Sequence, residues 1–134
     1  ADSEVDIKVS SEIGLKMPPL AGAGIKAMLS QLSDREIDRI LSESELQPFT
    51  PHSITKKSHY KSEVISARSE GIALDLEEYI EGLIAVGIPI RTYSENIQAA
   101  IWAVGLKRQL TGEKLLNVKH YLSGIEKEIN QRFE

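Results

Sequence analysis

The chain has 134 residues, a formal net charge of −4 and no cysteine. Its length suits one domain with its own core, which we expect to span residues 1–134. The lack of cysteine excludes disulfides, thiolate catalysis and cysteine-ligated metals. Because a nucleic-acid interface needs clustered positive charge and the sixteen Lys and Arg residues are scattered, we expect no DNA contact from this chain itself.

The first predicted elements are a strand and two helices. Apolar and polar residues alternate through Val5–Val9, a period of two that is typical of a half-buried strand. Apolar residues then recur at helical spacing through Ile25–Leu32. Ser33 and Glu36 follow as a capping box, in which the serine hydroxyl accepts the amide of the glutamate and the glutamate reaches back. A second helix is therefore predicted to begin at Asp34.

The rest of the chain predicts a loop, a third helix, a sheet and a last helix. The loop covers Ser42–Ser53, and Thr55 can cap a third helix that ends at Gly71 in the left-handed conformation. Three strands are predicted, the last two joined as a hairpin, at Ile72–Leu76, Leu83–Arg91 and Ile97–Leu106. Thr111 can cap a final helix whose apolar stripe runs to Phe133. This pattern indicates an α+β fold, an antiparallel sheet flanked by helices.

The most informative segment is Leu74–Ile90, in which an acidic cluster of Asp75, Glu77 and Glu78 runs straight into an apolar strand. Carboxylates favour water and the apolar run favours the interior, so the junction places polar groups at the mouth of a buried region. Apolar walls with a few fixed polar atoms are the usual composition of a small-molecule pocket. The segment therefore predicts a binding site at this junction.

Three segments resemble, in the same order, motifs of the effector-binding domain of IclR-type transcriptional regulators. Gly14–Leu29 (GLKMPPLAGAGIKAML) resembles Gly-x-x-x-Pro-Leu-x-x-x-Ala-x-Gly-Lys-Ala-Leu-Leu, and Leu46–Thr55 (LQPFTPHSIT) resembles Leu-x-x-Phe-Thr-Pro-x-Thr-Ile-Thr. Leu74–Ile90 (LDLEEYIEGLIAVGIPI) resembles the pocket-forming segment of that family. The resemblance covers most of the chain and implies a GAF/PAS-like effector-binding domain that lacks its first helix and strands.

The resemblance also implies the setting of the domain. Regulators of this family carry a winged helix-turn-helix ahead of the effector domain, and nothing in this chain looks like one. We therefore expect the sensing half of a cytoplasmic regulator, with no cofactor, metal, membrane segment or enzymatic activity. The implied partners are a small-molecule effector, further copies in a homodimer or homotetramer, and DNA only through a separate N-terminal domain. The alternative is a GAF-like small-molecule sensor that is unconnected to DNA binding.

The effector implied by the resemblance is a small organic acid or a related metabolite. The family's ligand positions fall here on Val9, Met17, Ala23, Gly24, Asp75, Ala85, Trp102 and Val104. Val9 and Met17 would be apolar walls, and Ala23 and Gly24 would offer helix N-terminal amides to a carboxylate. The alternative for the last two is a close-packed turn without a ligand. Ile25 stands where the family usually has Gly, which would shift the helix start or narrow the pocket.

The other predicted ligand positions also leave alternatives open. Asp75 either accepts a hydrogen bond from the ligand or is a solvated strand-end carboxylate. Ala85, Trp102 and Val104 match positions where the family often has Cys or small hydroxyl residues. A flatter and more apolar ligand, such as an aromatic carboxylic acid, could then stack on the indole of Trp102. Otherwise the indole fills the pocket, or it is plain core.

The remaining candidate residues do not suggest a catalytic or metal site. His52, His59 and His120 lack partners at the spacing of a metal-ligand set. Glu77 and Glu78, as neighbours in a strand, would face opposite sides and could not share one substrate. No nucleophile motif or phosphate-binding loop is present in the sequence, so we predict no enzymatic activity.

Overall fold

The computed structural model describes residues 17–90 and 99–132. Helices and an antiparallel sheet occur there in an α+β arrangement, which confirms the predicted fold class. The elements are α1 Ala23–Leu29, α2 Asp34–Ser42, α3 Lys57–Glu70, β1 Ala73–Leu76, β2 Leu83–Ile90, β3 Ala99–Leu106 and α4 Gly112–Arg132. The predicted strand Val5–Val9, the predicted hairpin turn and Phe133 lie outside the described residues.

The helix ends follow local sequence signals in α2 and at the end of α3. The Ser33 hydroxyl accepts the amide of Glu36 at 3.2 Å and begins α2, which is the serine half of the predicted capping box. Gly71 ends α3 with a φ of 76°, as predicted. The prediction that Thr55 caps α3 is wrong, because Lys56 is the extended residue before the helix. Thr55 therefore lies one residue too far from the first free amides.

The three strands form one antiparallel sheet in the order β1-β2-β3. Its register places Ala85 between Asp75 and Val104, and Gly87 opposite Trp102. Directly opposed residues of antiparallel strands share a face of the sheet, and successive residues alternate between faces. The four predicted ligand positions in the sheet therefore all lie on one face.

The last helix covers the opposite face of the sheet. Val86 and Ile88 of β2 are buried there with Leu122 of α4, and Leu115 and Val118 border this cluster. These helical residues belong to the apolar stripe predicted for the last helix. None of the helices in residues 17–90 and 99–132 has the length and the apolar run needed to cross a membrane.

α1 lies on the face that carries the predicted ligand positions, and small residues let it approach closely. Ala27, Ala67 and Ala73 form a buried cluster between α1, α3 and β1. At Gly87 a Cβ atom would meet the carbonyl oxygen of Ala23 at 2.6 Å. A residue without a side chain is therefore required where the backbone of α1 reaches β2.

A larger apolar cluster holds α2 and α3 against α1. Its buried members are Leu29, Ile37, Leu41, Tyr60 and Val64. The predicted helical spacing places Leu29 and Ile37 on the inward faces of their helices, as observed. This cluster fixes α1 from the side away from the sheet contact at Gly87.

We expect Gly87→Ala to destabilise the domain by roughly 1–3 kcal/mol, the range for overpacking a core position. The added Cβ meets backbone atoms, which cannot rotate away as a side chain can. Gly124→Ala in α4 is the matched control, because a Cβ there meets no atom within 4 Å and alanine should add about 0.5–1 kcal/mol to the helix. Urea unfolding followed by circular dichroism measures both. Equal losses at the two positions would contradict the close packing of α1 on β2.

Candidate ligand-binding site

The start of α1 brings two predicted ligand positions against the sheet. Ala23 is buried over Gly87, as described above. Gly24 lies beneath the indole of Trp102, since a Cβ on Gly24 would meet the ring carbon Cε3 at 2.7 Å. Gly22, just before the helix, has a φ of 89°, a conformation that favours glycine. This glycine-rich turn sets the first turn of α1 directly on β2 and β3.

Three further predicted positions form a row across the sheet beside this contact. Asp75 and Ala85 are buried, whereas Val104 is 41% exposed. Trp102, on the same face, is 47% exposed, which contradicts its interpretation as plain core. One part of the indole packs on Gly24 and the rest is open to solvent. The structure therefore gathers six of the predicted positions where α1 meets the sheet.

The other predicted positions lie at the edge of this region or outside the described residues. Met17 is exposed, and its terminal methyl group is 3.2 Å from the position of a Cβ on Gly22. Val9 lies outside the described residues. Ile25 packs against the apolar cluster between α1, α2 and α3, and α1 begins at Ala23. The bulk of Ile25 is thus accommodated between helices.

A buried lysine that the sequence analysis did not single out ties α1 to the segment after β1. Lys26 is 1% exposed, its Nζ lies 2.6 Å from Oε1 of Glu78, and it donates to the Leu74 carbonyl at 2.8 Å. Nζ is also 5.8 Å from the ring centroid of Tyr60, within reach of cation–π attraction. Such partners are required because burying an unpaired charge is costly. A charge inside the apolar run Ile25–Leu29 is the sequence signal that marks it.

The carboxylates of the acidic cluster are fixed by backbone amides. Oε2 of Glu78 accepts the amide of Leu76 at 3.1 Å, and Oδ1 of Asp75 accepts the amide of Glu78 at 2.8 Å. Because Asp75 is 7% exposed, its interpretation as a solvated carboxylate is wrong. Burial raises the pKa of Asp75, although the amide of Glu78 opposes this. Burial, with these two carboxylates, also raises the pKa of Tyr60, whose hydroxyl donates to the Leu20 carbonyl at 3.2 Å.

The segment LQPFTPHSIT forms a loop that holds the acidic cluster from another side. The Thr50 hydroxyl donates to the carbonyl of Glu77, and the Ser53 hydroxyl donates to the carbonyl of Glu78, both at 2.6 Å. These two bonds explain why hydroxyl residues occur at these places in the segment. The loop is therefore hydrogen-bonded to the backbone carbonyls of the two residues after β1.

The side chains of Glu77 and Glu78 contact different partners. The reason is not the predicted one, that neighbours in a strand face opposite sides of the sheet. They follow β1 rather than continue it, and Glu77 has a left-handed φ of 60°. The Glu77 carboxylate accepts the amide of Gly82 at 3.1 Å and pairs with Lys107 at 3.1 Å. The hydrogen bond from Lys107 lowers the pKa of Glu77. The two carboxylates are thus held by separate partners, Glu77 by Gly82 and Lys107, and Glu78 by Lys26 and Leu76.

A groove lies beside the predicted ligand positions rather than at them. It runs between the approach to α1, the loop 46–54 and the acidic cluster, and it encloses about 330 Å³ including the solvent at its mouth. Glu78 and Tyr60 border it, and the rings of Phe49 and Tyr79 meet there edge to face with centroids 5.0 Å apart. Within residues 17–90 and 99–132, no three His, Asp or Glu side chains are arranged to hold a metal ion.

Breaking the buried ion pair should lower the free energy of unfolding far more than breaking an exposed pair. We expect Lys26→Met to destabilise the domain by roughly 3–5 kcal/mol, because the Glu78 carboxylate stays buried without its partner. Lys26→Met with Glu78→Gln should recover much of this loss, since the buried charge is then gone. Arg39→Ala breaks the exposed pair with Glu43 and should cost less than about 1 kcal/mol. Additive losses in the double variant, measured by urea unfolding, would contradict the coupling.

Asp75→Asn should change how stability depends on pH. Since burial raises the pKa of Asp75 above its unfolded value, the folded protein binds more protons between the two values and loses stability as pH rises through that window. The unfolding free energy of the wild type minus that of the variant should therefore fall from about pH 4 upward and then level off. Urea unfolding of both proteins across this range provides the measurement. A difference that rises with pH would show that the folded state lowers this pKa.

Comparison with known sequences identifies relatives over nearly the whole chain. Residues 1–130 match the family described as bacterial transcriptional regulator IclR C-terminal. The HTH-type transcriptional regulator XynR of Escherichia coli is 27% identical over 112 residues, 84% of this chain and 44% of its own. The acetate operon repressor of Salmonella typhimurium is 27% identical over 123 residues, 92% of this chain and 45% of its own. The chain thus spans less than half the length of these relatives.

Solved structures show the same fold. The crystal structure of Thermotoga maritima IclR superposes with a TM-score of 0.88 at 29% identity, over 99% of this chain and 54% of that one. The inducer-binding domain of PobR from Acinetobacter, a double mutant in complex with 3-hydroxybenzoic acid, superposes with a TM-score of 0.82 over 93% of this chain and 74% of that one. At 22% identity, the second likeness concerns the fold alone. Because the family match extends over residues 1–130, the chain belongs to the IclR family of bacterial transcriptional regulators, in the region of its C-terminal domain.

Proposed function

We propose that this chain is the ligand-sensing domain of a transcriptional regulator and that it binds a small organic acid. Membership of the IclR family, with the predicted ligand positions gathered between α1 and the sheet, carries the proposal. The domain would occupy residues 1–134 and would have no enzymatic activity. DNA would be bound by a winged helix-turn-helix elsewhere in a longer, cytoplasmic protein that acts as a homodimer or homotetramer.

The proposed site is the place where α1 meets the row of Asp75, Ala85 and Val104. The amides of Ala23 and Gly24 belong to the first turn of α1, where backbone N–H groups have no acceptor within the helix. They are the groups that would receive the carboxylate of the acid. Ala85 and Val104 offer only apolar surface, which favours a ligand with an apolar body over a short, fully polar acid.

The half-exposed indole of Trp102 favours an aromatic acid. Its contact with Gly24 leaves the rest of the ring open, and aromatic rings attract one another in stacked or edge-to-face pairs. The PobR inducer-binding domain, a protein of the same fold, is described in complex with 3-hydroxybenzoic acid. That complex supports an aromatic acid as a ligand that this fold can accommodate.

Binding at this site would affect other parts of the domain, because polar contacts join α1 to them. A ligand that enters between α1 and β3 must displace either the Trp102 ring or α1 itself from their contact at Gly24. α1 is joined through Lys26 to Glu78, and Ser53 holds the backbone of Glu78. A ligand changes DNA affinity only as far as it prefers one arrangement of the protein. This series of contacts is the element that we propose to differ between the two arrangements.

A thermal-shift screen against aliphatic and aromatic carboxylic acids tests the proposal. An acid that binds the folded domain should raise its melting temperature through mass action, and an acid at the proposed site should also change the fluorescence of Trp102. Trp102→Ala should weaken binding of that acid at least about tenfold, or 1.4 kcal/mol.

The control variant is Leu116→Ala, which removes an exposed apolar side chain on α4, the helix on the opposite face of the sheet. It should leave the affinity for the acid unchanged. Trp102→Ala should itself cost less than the roughly 3–5 kcal/mol of a fully buried Trp, so both variants should remain folded. A folded domain whose melting temperature no acid raises would contradict the proposed function.

A further inference from the structure

The groove beside the proposed effector site is bordered by the turn before α1, the loop 46–54 and the segment after β1. Its enclosed space of about 330 Å³, which includes the solvent at its mouth, is close to the lower limit of roughly 300–1,000 Å³ for small-molecule pockets. Within the described part of the chain, none of the predicted ligand positions lines it. The groove is therefore separate from the site that we propose for the acid.

Three aromatic rings border the groove, and one of them already attracts a cation. Phe49 is 40% exposed, and its ring meets that of Tyr79 edge to face. Tyr60 is buried in the wall, with Nζ of Lys26 at 5.8 Å from its ring centroid. The face of an aromatic ring carries negative charge and attracts cations within about 6 Å of the ring centroid. The rings thus give the groove walls that are apolar and yet favourable to positive charge.

Glu78 is the charged residue among those that line the groove. Its side chain is 17% exposed, and each carboxylate oxygen has one donor, Lys26 for Oε1 and the Leu76 amide for Oε2. Since a carboxylate offers about four lone-pair sites, Glu78 can still accept a positive group from the groove. Asp75 is buried next to it, with Oδ1 bonded to the Glu78 amide. When both carboxylates are ionised, two negative charges stand against one lysine, which favours a further cation.

The walls of the groove are set before any ligand enters. Leu20 and Glu77 have left-handed φ values of 62° and 60°, which are unfavourable for residues other than glycine. The Tyr60 hydroxyl donates to the carbonyl of Leu20, and the Thr50 hydroxyl donates to the carbonyl of Glu77. Side-chain hydrogen bonds therefore hold an unfavourable backbone at Leu20 in one wall and just before Glu78 in another. Walls that are already ordered lower the cost of binding a ligand.

We propose that the groove is a second ligand site and that it binds a small organic ammonium ion, with the positive head beside Glu78 and the rings of Phe49 and Tyr79. Aromatic rings bind quaternary ammonium ligands, and the carboxylate adds attraction between opposite charges. The other lining residues are mainly apolar, which favours a head covered by methyl groups over an –NH₃⁺ group that would lose hydrogen bonds to water. An anion such as the proposed acid would be repelled by Glu78. The second site goes beyond the proposed function and does not rest on it.

Choline and 3,3-dimethyl-1-butanol provide the test, because they have the same shape and differ in the positive nitrogen. Each is titrated into the 134-residue chain at equal ionic strength and followed by proton–nitrogen correlation NMR. Choline should bind saturably, shift the amides of Phe49 and Tyr79, and bind at least about tenfold more tightly than the alcohol. No saturation up to about 100 mM choline, equal affinity for the two compounds, or shifts confined to other parts of the domain would overturn the proposal.

Substitutions in the groove test the ring and the carboxylate separately. Phe49→Leu keeps apolar bulk at a 40% exposed position, so the domain should stay folded while its affinity for choline falls roughly three- to fivefold, the size of one exposed cation–π contact. Tyr121→Leu, which removes a 71% exposed ring from α4, is the matched control and should leave the affinity unchanged. Lys26→Met with Glu78→Gln removes the carboxylate without leaving a buried charge unpaired, and should bring the affinities for choline and the alcohol to within about threefold. A folded double variant that keeps the wild-type preference, or a loss in Phe49→Leu no larger than in Tyr121→Leu, would overturn the proposal.

Discussion

The ion pair of Lys26 with Glu78 is the interaction on which the rest of the described structure depends. It joins the middle of α1 to the segment after β1, two parts of the chain that are 52 residues apart. Both charges are largely removed from water, so each is stable there only while the other is present. The amide that Asp75 accepts and the hydroxyl of Ser53 then hold Glu78 in place. The position of α1 is thus fixed by polar contacts as well as by packing.

The fixed position of α1 determines the shape of the proposed site. α1 lies so close to β2 that Gly87 cannot carry a side chain, and Gly24 lies under the ring of Trp102. Ala85 and Val104 have no polar side-chain atom, so the indole and the amides of α1 dominate the recognition that we propose. The proposed site has the firmly held α1 on one side and the half-exposed ring of Trp102 on the other. This arrangement suits a sensor. In the proposed function, the ring would move when a ligand binds and α1 would transmit the change.

Local sequence signals accounted for much of the fold and less of the site. Periodicity and turn residues identified the helices, the strands and two helix ends at Ser33 and Gly71, because these depend on residues a few positions apart. The strand register, which the sequence did not specify, puts the predicted ligand positions in the sheet (Asp75, Ala85, Trp102 and Val104) on one face. The burial of Asp75 and the pairing of Lys26 with Glu78 depend on segments that meet only in the folded chain. No local pattern specifies such partners, although a lysine within an apolar helical run is a signal that a buried partner is needed.

The most direct test of ligand binding between α1 and the sheet is a proton–nitrogen correlation NMR titration with the aromatic carboxylic acid that raises the melting temperature of the domain most. The chain has one Trp, so its single indole N–H signal belongs to Trp102 without further assignment. The account predicts that this signal shifts saturably together with the amides of Ala23 and Gly24. A saturable titration that leaves these three signals in place and shifts only residues of the neighbouring groove, such as Gln47 and Tyr79, would contradict it.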